Sequence, residues 1–231
     1  MKKILLLLTA GMMIVSLTAC GNAPQSGNAD RNTDESSEAP KQGEQPGESG
    51  GSLELSEGAD TTEPIGQGDI LVAYFSKTGN TEVIANMIAE YTRGDMFHVE
   101  TVTVYPDNYN DLIEVARQEQ DNDDRPELAS TVENMDGYQT IFIGFPNWWG
   151  TMPMAMFTFL ESYDLAGKTV IPFCTHEGSA LGRSESDIAG LVPDAELLEG
   201  LAVRGSNVDN AENEVTSWLA GLGFSGPAEG E

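Results

Sequence analysis

The chain has 231 residues, with 38 acidic and 11 basic side chains and a formal net charge of −27. That balance argues against nucleic-acid binding, in which cations neutralise phosphates, and against docking on anionic lipid through surface charge. Two cysteines allow at most one disulfide.

Met1-Lys2-Lys3 is a positive start, and residues 4–17 are mostly apolar. That run has the length of a secretory h-region and falls short of the ~20 residues that span a bilayer. Leu17-Thr18-Ala19-Cys20-Gly21 follows. It resembles the lipobox of bacterial lipoproteins, which implies a signal peptide over 1–19, cleavage before Cys20 and lipid on its thiol. Several acyl chains would anchor the protein durably. Cys174 is then left as a free thiol. A thiol reductase built on it would lack a resolving cysteine, and a buried structural thiol is the common case at a strand end.

Residues 20–67 change character. Gly, Ser, Pro, Gln, Asn and acids dominate, and from Gly21 onward ten acidic side chains stand against two basic ones. Such a stretch cannot bury enough apolar surface to offset its ordering entropy. It reads as a disordered, self-repelling tether. One folded domain is expected over 68–225, with a short disordered tail at 226–231.

The domain opens on Ile70-Leu71-Val72-Ala73-Tyr74-Phe75, a buried strand by its apolar run. Ser76-Lys77-Thr78-Gly79-Asn80-Thr81 follows, and then an amphipathic helix with Val83, Ile84, Met87 and Ile88 on one face. A strand, a hydroxyl-rich turn and a helix start form a layout that binds phosphate. Free N–H groups at the helix N-terminus point outward, and the macrodipole favours an anion. The turn lacks both the Walker Gly-Lys-Ser/Thr and the glycine-rich dinucleotide fingerprint. Neutral donors of this kind suit a lone phosphate monoester.

Residues 96–104 alternate and predict a half-buried second strand, in which His98 reads as a surface or satisfied residue rather than a ligand. Tyr105-Pro106-Asp107-Asn108-Tyr109 breaks it, and a helix is predicted over 111–120. Tyr105 and Tyr109 either reach a ligand or cap the end of the sheet. Thr140-Ile141-Phe142-Ile143-Gly144-Phe145 is the clearest central strand, leading into Pro146-Asn147-Trp148-Trp149-Gly150. Adjacent tryptophans in a loop point either to a wall for a flat aromatic ring or to a hydrophobic plug. A helix follows from Met154. Residues 168–174 predict another strand, ending in Thr175-His176-Glu177-Gly178-Ser179, a small-residue loop with backbone donors. A weak last strand at 197–203 and a closing helix at 212–222 complete the domain, with Trp218 at core spacing.

This βα alternation predicts an α/β fold, a doubly wound five-stranded parallel sheet of order 2-1-3-4-5 with helices on both faces. In such sheets the ligand binds outside the switch between strands one and three. The hydroxyl turn and the Trp-Trp loop both fall there.

Phe-Ser-Lys-Thr-Gly-Asn-Thr, Tyr-Pro-Asp-Asn-Tyr, Arg-Pro-Glu-Leu, Gly-Phe-Pro-Asn-Trp-Trp-Gly, Phe-Leu-Glu and Pro-Phe-Cys-Thr-His-Glu-Gly-Ser, in that order over about 70–224, resemble a bacterial flavodoxin-like family. The resemblance implies a flavodoxin-like fold and non-covalent FMN as cofactor. It implies that Ser76, Lys77, Thr78, Gly79, Asn80 and Thr81 hold the phosphate. Pro146, Asn147, Trp148, Trp149 and Gly150 would flank the ring, and Thr175, His176, Gly178 and Ser179 would border its polar edge. Glu177 and Ala180 depart from the family loop, where glycines are usual, and Glu177 would bring a negative charge near the flavin. No tyrosine in this loop covers the second ring face, which leaves that face open to a substrate.

The function so implied is electron transfer at the outer face of a bacterial membrane, on the extracytoplasmic side. The partner would be a redox protein or a small quinone-like acceptor, with membrane contact through the lipid anchor alone. Two alternatives stand beside it. One is an FMN-dependent NAD(P)H:quinone-type reductase with His176 as proton donor. The other is a lipoprotein that keeps the fold and binds a ligand without redox chemistry.

Overall fold

The computed structural model describes residues 69–226. The signal peptide, Cys20, the tether and nearly all of the tail lie outside the described residues. Among those described, no helix is long and apolar enough to cross a membrane.

The domain runs β1 (Ile70–Tyr74), α1 (Asn80–Thr92), β2 (Asp95–His98), α2 (Tyr109–Asn122), β3 (Thr140–Pro146), α3 (Met154–Glu161), β4 (Thr169–His176), α4 (Ser184–Leu191), β5 (Glu196–Leu197), β6 (Leu201–Arg204) and α5 (Glu212–Gly221). All pairings between named strands are parallel, in the order β2-β1-β3-β4-β5, with β6 also on β4. This is the doubly wound sheet expected from the βα alternation.

Side chains alternate between the two faces of the sheet, as a pleated strand requires. Ile70 and Val72 pack with Ile84 and Ile88 of α1 and with Val215 and Leu219 of α5. Leu71 and Ala73 pack on the opposite face with Phe159 and Leu160 of α3 and with Ile188 of α4. Each large apolar side chain so buried contributes roughly 1.5–3 kcal/mol. The chain thus leaves β1 toward one face and β3 toward the other. Their adjacent carboxyl ends open the crevice that the topology predicts.

Three elements differ from expectation. The second strand stops at His98, six residues short of 104. One further bond to β1 follows, from Val99 N–H to the Tyr74 carbonyl at 2.8 Å. Beyond it Glu100 and Val102 bond to Ala129 and Glu127, because β1 has ended and a different segment offers the partners. The fifth strand is divided into β5 and β6, so the sheet has six strands. Thr169 pairs with Glu196, but Phe173 pairs with Leu201, so the outer segment carries one extra residue. The interruption faces Pro172, which has no N–H to give to a ladder. Helix α4 has no counterpart in the periodicity reading, since its small and polar residues lack a clear apolar stripe. His98 is exposed, stacked on Tyr74 at 4.9 Å between centroids.

Candidate functional site

The three strand ends β1, β3 and β4 each carry one loop of the site. After β1, Phe75 N–H still bonds to Gly144 at 2.9 Å, and the chain then leaves the sheet. Gly79 precedes α1 at φ 90°, a left-handed conformation that favours glycine. It supplies no side-chain cap to the helix. Ser76 Oγ accepts from Glu82 N–H at 3.3 Å. The backbone N–H groups of residues 76–81 meet no acceptor among the described residues. Orphan donors of this kind at a helix N-terminus form an anion cradle.

The one cation of the turn is tied elsewhere. Lys77 Nζ donates to the Tyr105 carbonyl at 2.8 Å and to Asp107 at 2.7 Å. That pair holds the Asp107 carboxyl below its usual range. Thr81 is buried, and its hydroxyl meets that of Thr175 at 2.8 Å, joining the first loop to the third.

The second loop is a tight hairpin. Trp148 and Thr151 exchange backbone hydrogen bonds at 2.8 and 3.2 Å, with Trp149 at φ 54° and Gly150 at φ 87° between them. Two positive φ values are the type I′ pattern. Asn147 braces it. Its amide donates to the Ala180 carbonyl at 2.8 Å, and its side-chain oxygen accepts from Gly150 N–H at 3.0 Å.

The two tryptophans have separate tasks. Trp148 is half-buried, edge-on to Phe75 and to Tyr105 at 5.3 Å each, so part of it does act as a plug. Trp149 is 48% exposed. Its indole N–H donates to the Ile113 carbonyl of α2 at 3.1 Å, and the Arg117 guanidinium lies 5.0 Å from its ring centroid. The arrangement bridges the mouth of the crevice to α2.

In the third loop His176 Nδ1 accepts from Gly178 N–H at 2.9 Å. In the neutral imidazole this leaves the proton on Nε2. Cys174, just below, is buried, and desolvation followed by Glu185 pushes its thiol up to about 12. A thiol held that far from ionisation is a poor nucleophile.

A cavity of about 770 Å³ joins these parts. Lys77, Thr78 and Asn80 line one end, Pro146, Asn147, Trp148 and Trp149 another, and Thr175, His176, Gly178 and Ser179 a third side. Ser76, Gly79, Thr81 and Gly150, also expected at the site, do not line it. Ser76, Thr81 and Gly150 brace its walls through the bonds above, and Gly79 sets the turn. The structure adds Glu177, Gly205 and four residues of α2, namely Tyr109, Leu112, Ile113 and Ala116. Tyr109 thus reaches the cavity, whereas Tyr105 supports Trp148 from behind. The α2 residues left one trace in the sequence: Ile113 sits outside the Leu112–Ala116 stripe that packs the helix. An anion cradle at one end and an aromatic and aliphatic slot at the other define a site for a flat apolar ring with a phosphate tail, within the usual volume range of ligand pockets.

The family follows from comparison. A family model described as Flavodoxin matches residues 69–222, and the chain belongs to that family. No curated protein matches the chain. A provisionally assigned flavoprotein of Bacteroides eggerthii is 32% identical, with a TM-score of 0.61; the match covers 68% of this chain and 99% of that one. Another, from Bacteroides uniformis, is 33% identical with a TM-score of 0.60, covering 67% and 99%. A flavoprotein of Lactobacillus acidophilus, solved in complex with FMN, is 24% identical with a TM-score of 0.50, covering 61% and 96%. At that identity it bears on the fold alone.

Proposed function

We propose that this chain binds FMN and serves as an electron-transfer protein, held at the extracytoplasmic face of a bacterial membrane by lipid on Cys20. One observation carries the reading: a single cavity runs from Lys77, Thr78 and Asn80, in a turn whose backbone N–H groups meet no acceptor among the described residues, to the paired indoles of the second loop. Family membership supports it. The Cys20 lipobox motif supports the anchor, and the net charge supports the absence of nucleic-acid partners.

In this reading the turn around Thr78 and Asn80 holds the phosphate. Trp148, Trp149 and the α2 wall hold the ring, and His176 Nε2–H and the loop around Ser179 meet its polar edge. Bound FMN supplies the redox chemistry. The chain orients it, excludes water from its ring and sets the charge around it.

A second reading is an NAD(P)H:quinone-type reductase, favoured by His176 at the cavity wall, whose Nε2 has no partner among the described residues, and by the apolar Leu112, Ile113 and Ala116 that also line the cavity. Steady-state turnover with NAD(P)H and a quinone separates the two. Slow turnover beside fast electron exchange with a redox protein supports the carrier. Multiple rapid turnovers support the reductase.

A further inference from the structure

The acid in the third loop also comes close to the first loop. His176 and Arg204 pair in register at the end of β4 and β6, so the residues after them, Glu177 and Gly205, face each other. A β-carbon on Gly205 would sit 2.6 Å from Glu177 Oε1 and 2.8 Å from Asn80 Nδ2. The ends of the Glu177 and Asn80 side chains thus both stand over Gly205. Glu177 therefore reaches across to the first residue of α1, at the anion end of the cavity, and it lines that cavity.

The carboxylate is exposed and forms no ion pair: among the described residues no lysine, arginine or histidine nitrogen lies within 4.0 Å of it. Lys77, the nearest cation of the turn in sequence, is committed to Asp107. Arg204 lies on the Gly178 side, its Nη2 3.9 Å from where a β-carbon on Gly178 would stand. Two opposed fields thus meet at this end. The N–H groups without an acceptor among the described residues and the helix dipole attract an anion, and a carboxylate outside any ion pair repels one.

Resting on the FMN reading, we propose that Glu177 is a specificity-determining residue that penalises the ligand's phosphate. It brings the affinity for FMN down toward that for riboflavin, which shares the ring and ribityl chain and lacks the charge.

The test is a flavin titration, followed by fluorescence, of the wild-type protein and of Glu177→Gln and Glu177→Lys, each with FMN and with riboflavin. Glu177→Gln tightens FMN by about three- to tenfold, the scale of one screened charge contact, and Glu177→Lys tightens it further. Riboflavin affinity moves by less than about twofold in both, since a purely structural effect would move both ligands together. Unchanged or weaker FMN binding in Glu177→Gln overturns the proposal, as does an equal gain for riboflavin. If neither flavin binds any of the three proteins, the FMN reading falls and this inference falls with it.

Discussion

Thr81 and Thr175, 94 positions apart, share a hydrogen bond of 2.8 Å between their buried hydroxyls. It ties the start of α1 to the end of β4, and so holds the anion turn against the third loop. Replacing one partner by valine leaves the other hydroxyl buried without a partner, at a cost of about 1–3 kcal/mol. Replacing both removes two polar groups together. Thr81→Val and Thr175→Val are each expected to lower stability in urea unfolding, and the double variant to lose less than the sum of the two. Additive losses would show that the bond does not couple the loops.

Trp149 occupies a positive φ that a bulky side chain adopts with strain, and such strain gathers at functional sites. Asparagine suits that turn position better. Trp149→Asn is therefore expected to keep or raise the thermal midpoint while weakening FMN binding about tenfold or more, through loss of ring contact. A falling midpoint with unchanged FMN affinity would mean that the indole serves the fold rather than the ligand.

Tyr105 donates to Glu119 at 2.7 Å, fastening the loop behind Trp148 to α2. Burial raises the Glu119 pKa, against the lowering effect of the Tyr105 hydroxyl. A carboxyl raised in the folded state favours folding when protonated. That contribution is complete below the unfolded value near 4.5 and is lost as pH rises through the folded pKa. Glu119→Gln keeps an acceptor for Tyr105 and removes the titration. The slope of stability against pH just above 4.5 should flatten in that variant. An unchanged slope would place the titration elsewhere.

Cys174 is buried, with its thiol pushed up to about 12. A thiol reagent at pH 8 should modify the native protein far more slowly than the urea-unfolded chain. Equal rates would reopen a thiol-based activity.

The sequence was most legible where one rule acts alone. The apolar run at Ile70, the hydroxyl turn and the helix after it needed no tertiary knowledge, and the carboxyl-end crevice followed from the alternation of strands and helices. What stayed hidden depends on partners distant in the chain. The second strand ends at His98 because residues 100–102 find partners at 127–129, which no local pattern announces. The divided edge strand reflects Pro172 on its neighbour. Helix α2 shows an apolar stripe, but only packing decides that Ile113 and Tyr109 face a cavity. Glu177 was visible as a charge in a glycine-type loop, and the pairing of His176 with Arg204 turned it toward Asn80.

The most direct test is the visible absorption spectrum of the purified domain, starting at Gln67, after mixing with FMN and removal of unbound ligand. The account predicts a yellow protein with about one FMN per chain, and quenching of tryptophan fluorescence that survives Trp218→Phe and is largely lost in the Trp148→Phe/Trp149→Phe double variant. A colourless protein whose tryptophan fluorescence ignores FMN at high micromolar concentration would contradict it.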